Sequence, residues 1–312
     1  MRIKLFLLAF FVPFFVHAQK VAVVNVSAAY LYQAPDYESS LESQELMGVP
    51  LAVTDTSRYW LKVITPQPYE AWLTDRTVVL MDEEQFEAYQ KHPKYLVTGL
   101  WGTVFTAPRH TSAPLCDIVA GDILRMGMKA GKAVRRNGFC QVILPDGRAG
   151  WVKKDQLADM DRWQKEMEGL GAAQRIERAI DFAQKLVGVP YLWGGMSTRG
   201  MDCSGLTRLS YLMAKVALPR NSSQQFRYGK EIPVGRNADG SFDLGALKRG
   251  DLVFFGTETP EKLSITHVGI YLGDNRMIQS SHYVRINSLQ SSDPDCYENA
   301  WKLLRACRPL ED

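Results

Sequence analysis

Apolar and polar positions alternate in short runs over the first half of the chain, then switch to helical spacing after about residue 160. Two early segments share one pattern. The first reads LYQAP, LMGVPLAV, YWLKVITP and AWL; the second reads VFTAP, VAGDILRM, FCQVILP and GWV. Ala34-Pro35 matches Ala107-Pro108 at an offset of 73, and Trp72 matches Trp151 at an offset of 79. Strand-length runs of Val, Ile, Leu and Trp, broken by Gly, Pro and Asp, predict small antiparallel barrels of about 60 residues each. Two copies make paired domains and not a solenoid. The polar stretch DEEQFEAYQKHPK between them is predicted helical.

In AAQRIERAIDFAQKLVGVP, Ile176, Ala179, Ile180, Ala183 and Val187 fall on one helical face, and Gly188 and Pro190 end it. A glycine-rich loop, YLWGGMSTRGMD, leads into CSGLTRLSYLMAKV. There Leu206, Leu209, Leu212 and Val216 recur at helical spacing, and Asp202 stands where an N-cap belongs. GDLVFF, HVGIYL and RMIQSSHYVRI read as strands, the last two joined by GDN as a hairpin. Helices followed by antiparallel strands predict an α+β domain.

The N-terminus has a different pattern. Arg2 and Lys4 precede an apolar run from Leu5 to Val16, and VHA ends at Ala18. This is the layout of a signal peptide over 1–18, too short for a membrane span of roughly 20 residues. The expected location is therefore exported, periplasmic or extracellular, without stable membrane insertion. Removing 18 of 312 residues leaves 294; Arg2 and Lys4 go with them, so 35 basic residues face 34 acidic ones. That balance gives no electrostatic case for nucleic acid. Of the five cysteines, Cys116 and Cys140 fall in one predicted barrel, and Cys296 and Cys307 near the C-terminus; their pairing is open. No C-x-x-C spacing points to zinc.

Cys203 carries the candidate chemistry. At a helix start the macrodipole and free N–H groups favour a thiolate and can hold an oxyanion. Gly200 and Gly205 would let a substrate approach the backbone. Of the five histidines, His267 and His282 lie downstream on predicted strands and either could act as base. On these features alone a buried inert thiol and a nucleophile both stand.

The motifs YLWGGMSTRGMDCSGL, LPRNSSQQ, LKRGDLVFF and ITHVGIYLGDNRMIQSS resemble, in order and spacing, those of the NlpC-type cell-wall endopeptidases, which are papain-like cysteine peptidases. The resemblance covers roughly 175–310. The upstream repeats resemble bacterial Src-homology-3-like domains. With the signal peptide at 1–18, the expected layout is a first barrel over 19–82, a linker over 83–94, a second barrel over 95–160 and a catalytic domain over 170–312. The resemblance implies a hydrolase that needs no cofactor or metal and cleaves the γ-D-glutamyl–L-diamino acid bond of peptidoglycan peptides.

By that resemblance Cys203 is the nucleophile, His267 the base, and Gln279 the residue that orients the base, where most relatives have a histidine. If GDN is a three-residue loop, Leu272 faces Arg276 and Gln279 faces Gly269, diagonal to His267 on one sheet face. A four-residue loop puts His282 opposite His267 instead. Asp202, Ser204 and Ser222 are implied substrate contacts. Tyr191 and Trp193 would line the cleft, the Tyr191 hydroxyl also aiding the oxyanion, and Arg220 would hold its loop. Glu42 and Tyr69 would bind the free amine of an N-terminal L-alanine. The competing readings are an amidase or acyltransferase on the same scaffold and an inactive wall-binding protein.

Overall fold

The computed structural model describes residues 20–311, so the expected signal segment 1–18 lies outside the described residues. The chain divides into two compact units between Arg162 and Trp163.

The first unit holds two large antiparallel sheets and a two-stranded ribbon, Met128–Lys129 with Lys132–Ala133. The first, of seven strands, runs in the order Leu41–Leu46, Ala28–Tyr32, Glu70–Thr74, Trp60–Ile64, Pro50–Ser57, Val21–Val24, Val78–Met81. Alternate residues such as Ala29 and Leu31, or Leu61 and Val63, face one core. The second sheet has eight strands between Lys94 and Asp159 and its own core around Val104, Ile118, Leu124 and Val142. Among the described residues neither sheet closes into a ring. The predicted helix joins them as Glu83–Lys91. Asp82 caps it, accepting from the Gln85 N–H while the Gln85 side chain accepts from the Asp82 N–H.

The internal repeat extends to side-chain geometry. Tyr32, Tyr37 and Trp60 form a ring triad in the first copy. The pairs 32–37, 32–60 and 37–60 have centroids 6.0, 5.5 and 4.8 Å apart, at 87°, 86° and 56°. At matching positions Phe105, His110 and Phe139 give 5.8, 6.1 and 5.0 Å at 88°, 86° and 56°. The turns beside them match too: Ser39 Oγ bonds the carbonyls of Ala34 and Asp36, as Ser112 Oγ bonds those of Ala107 and Arg109.

The copies share a joint. Met47 of the first copy is buried in the core of the second. Its N–H donates to Asp122 Oδ1 at 3.0 Å, the Val119 N–H donates to Oδ2 at 2.8 Å, and the Ile123 N–H donates to the Met47 carbonyl at 2.8 Å. Burial holds the Asp122 carboxyl well above the usual carboxylate range, against the pull of those two N–H groups.

The second unit is α+β. Its sheet of six antiparallel strands runs Lys230–Ile232, Leu303–Arg308, Leu252–Glu258, Leu263–Gly273, Arg276–Ser281, Tyr283–Ser288. Helices Ala172–Gln184 and Cys203–Leu212 are the two that the periodicity predicts. The second is buried nearly all round, which suits its apolar and small residues, with Arg208 as its one charged side chain. The GDN hairpin differs in detail. Gly273 pairs with Arg276 across a two-residue turn, Asp274-Asn275, both at positive φ (49° and 57°). A bulge at Leu272 then restores the expected facing of Gly269 and Gln279. RMIQSSHYVRI is two strands and not one: the chain reverses at His282, whose φ is +62°.

Candidate active site

Asp202 is extended (φ −85°, ψ −178°) and Cys203 opens the helix. The cap is heavily bonded. Asp202 Oδ1 accepts from the Gly205 N–H at 2.7 Å, Ser204 Oγ at 3.0 Å and Arg220 Nη1 at 3.2 Å. Oδ2 accepts from the Gly194 N–H at 3.1 Å and Arg220 Nη2 at 2.7 Å. Ser204 Oγ also accepts from Arg220 Nη1 at 2.9 Å. These side chains are committed to one another, so what they offer a substrate is backbone. Gly205 is demanded by the fold: a Cβ there would stand 2.1 Å from the Gly195 carbonyl oxygen. The close approach it permits is to the glycine-rich loop.

The Cys203 thiol is buried and lies against the backbone N–H groups of Ser204 and Val268. Val268 directly follows His267 on the Leu263–Gly273 strand, so the helix start and that strand meet at the thiol. Burial first, then the Asp202 charge, pushes the thiol up to about 12; the two N–H groups and the Arg220 charge pull the other way and lose. Burial therefore works against the thiolate that the helix start favours. Burial likewise lowers His267 to about 4, although Gln279 and the charges of Glu298 and Asp202 favour its protonated form. Burial thus favours the neutral form of both thiol and imidazole.

Gln279 is fully buried, opposite Gly269 and on the His267 face. Its side chain favours the protonated ring as a hydrogen-bonding neighbour. The contact lacks ordinary bond geometry, and His267 Nε2 and Gln279 Oε1 are both buried without a bonded partner. The other end of the Gln279 amide donates to Asn287 Oδ1 at 2.9 Å, and Asn287 Nδ2 donates to the Asp295 carbonyl at 2.9 Å. His282 is exposed in its turn, and its carbonyl accepts from the Tyr191 N–H at 2.9 Å.

Two groups escape the sequence reading. Tyr297 stacks on the His267 ring at 5.2 Å and 28°, and Phe255 lies edge-on to Tyr297 at 5.2 Å. Asn287 shares the face of Gln279, because residues 279 and 285 pair and 277 and 287 pair. Alternation in VRINS would have marked it had the reversal at His282 been recognised. Tyr297 lies in a turn-rich stretch whose pattern places nothing.

Among the remaining expected residues, Tyr191 is half-buried; burial and the nearby Cys203 and Asp202 raise its hydroxyl pKa. Trp193 is 66% exposed, which suits a cleft wall and not a core. Ser222 is buried at the start of the short helix Ser222–Gln225, whose cap is Asn221. In the first unit, Tyr69 donates its hydroxyl hydrogen to Glu42 at 2.5 Å. All five cysteines carry free thiols. Among the described residues no group of acidic, histidine and cysteine side chains could hold a metal ion.

A family model described as the NlpC/P60 family matches residues 188–303. The chain is 30% identical over 274 residues to a γ-D-glutamyl-L-lysine dipeptidyl-peptidase of Bacillus subtilis, covering 86% of this chain and 82% of that protein. It is 27% identical over 252 residues to a Bacillus cereus protein of the same name, covering 78% and 68%. Among solved structures, an NlpC/P60 family protein from Bacillus cereus matches with a TM-score of 0.73 at 24% identity, over 93% of this chain and all of that one. That last likeness shows the fold.

Proposed function

The chain belongs to the NlpC/P60 family, and from that premise we propose that it hydrolyses the γ-D-glutamyl–L-diamino acid bond of peptidoglycan stem peptides with a free N-terminal L-alanine. The observation that carries the reading is the thiol of Cys203 set against Val268, the residue after His267.

Cys203 Sγ attacks the γ-carbonyl carbon of D-glutamate as its proton passes to His267. Backbone N–H groups at the helix start, with the Tyr191 hydroxyl, receive the oxyanion. The imidazolium then protonates the departing amine of the diamino acid, leaving a thioester. Water attacks the thioester carbon, giving a proton to His267, and Cys203 leaves with that proton as the acid is released. Burial that favours the neutral forms suits this order, since it keeps the ring's lone pair available and lets charge develop along the reaction. Gln279 orients the ring, with Tyr297 against its face. Trp193 and Tyr191 line the approach, and Asp202, Ser204 and Ser222 shape the D-glutamyl site through backbone and packing.

Glu42 is the counter-charge for the L-alanine ammonium, and its bond to Tyr69 supports that role by fixing the carboxylate. The two sheets of the first unit are Src-homology-3-like modules, a reading supported by their duplicated ring triads. Residues 1–18 direct export to the periplasm or beyond.

The test compares the protein with its Cys203→Ala variant on L-Ala-γ-D-Glu-diamino acid peptides, the alanine amine free or acetylated. Cleavage of the free form by the wild type alone is expected. No cleavage of it sinks the reading, and equal cleavage of both forms sinks the role of Glu42 and Tyr69.

A further inference from the structure

An amide side chain presents an oxygen at one end and NH2 at the other, nearly equal in shape. The end Gln279 turns to His267 decides which ring nitrogen carries the proton. Facing oxygen holds a proton on Nε2 and leaves Nδ1 a lone pair for the thiol's proton. Facing NH2 does the reverse and removes the acceptor the reaction requires.

One group in the neighbourhood has no such ambiguity. The Asp295 backbone carbonyl can only accept, and the Ser288 N–H holds it at 3.2 Å. It binds Asn287 Nδ2 at 2.9 Å, so Asn287 must turn Oδ1 the other way, toward Gln279. Asn287 Oδ1 then takes Gln279 Nε2 at 2.9 Å, which leaves Oε1 as the end available to His267, the neighbour whose protonated form Gln279 favours. Reversing either amide would set two oxygens or two NH2 groups face to face in a site where Gln279 is fully buried and Asn287 is 5% exposed.

We propose that Asn287 is a positioning residue: anchored on the Asp295 carbonyl, it fixes the Gln279 amide and through it the tautomer of His267. The proposal rests on the reading of Cys203 and His267 as the reacting pair.

Two measurements on the full chain test it. The first is 15N NMR of the His267 ring, assigned with a His267→Gln variant and needing no substrate. The wild type should show neutral imidazole protonated on Nε2, and Asn287→Ala should show a mixture. An unchanged tautomer in Asn287→Ala overturns the proposal. The second is kinetic. Asn287→Ala should lower kcat about 10- to 100-fold with little change in KM. In a Gln279→Glu background the two carboxylate oxygens are equivalent and no orientation is needed, so adding Asn287→Ala should cost under about twofold. Equal loss in both backgrounds marks a structural role and overturns the proposal. If none of these proteins cleaves the peptides, the substrate reading fails and the tautomer still decides this one.

Discussion

Arg220 grips both carboxylate oxygens of Asp202, Nη1 at 3.2 Å and Nη2 at 2.7 Å, with both side chains buried one residue before the nucleophile. Removing one partner strands the other's charge. Arg220→Met should destabilise the catalytic unit by about 3–5 kcal/mol. Removing both charges, with Asp202→Asn added, should recover much of that loss. Urea unfolding of the wild type and the two variants checks this; a double variant as unstable as Arg220→Met alone would contradict it.

The burial of Cys203 and His267 predicts how the thiol meets an alkylating reagent. Only thiolate reacts, and the thiol's pKa is pushed up to about 12 while His267 is lowered to about 4. Iodoacetamide labelling of Cys203, read by peptide mass, should be slow at pH 7 and climb about tenfold per pH unit into alkali. A resting thiolate–imidazolium pair would instead label at a flat rate from mild acid upward.

The lowered His267 also predicts a stability trend. Between its folded value of about 4 and its ordinary 6.5 the unfolded chain binds the extra proton, so stability rises with pH across that window and falls as pH drops through it. Relative to His267→Gln, the wild type should lose about 3 kcal/mol between pH 7 and pH 4. Parallel stability curves for the two proteins over that range would refute the effect.

Gly205→Ala tests the close approach at the helix start. The added Cβ would meet the Gly195 carbonyl oxygen at 2.1 Å, a side-chain carbon against a backbone atom that cannot swing aside. A loss of about 1–3 kcal/mol or more is expected, together with most of the activity, because the glycine-rich loop must back away from Asp202. Wild-type activity at wild-type stability would show that the loop is not held there.

Much of this site was readable from residue order. Asp202 as cap and Cys203 as first helical residue follow from an acidic residue before an apolar helical face. The facing of Gln279 and Gly269 follows from strand alternation, although the turn has two residues and not three, and the Leu272 bulge made up the difference. What residue order misses is set by tertiary contact. Burial pushes Cys203 and His267 toward their neutral forms, against the helix-start argument. The stacking of Tyr297 depends on a segment with no period. Asn287 was hidden by one left-handed residue, His282, which turns an apparent single strand into two.

The Met47–Asp122 joint limits how the first unit can be inherited. The first copy lends a side chain to the second copy's core, and the second lends its carboxylate to the first copy's backbone. Cutting the chain within 83–94 would give two incomplete halves, one with Met47 bared and one with a void where it sat. The smallest piece of this half that recombination can move intact is thus the pair, and a change on either side of the joint is judged by its effect on both.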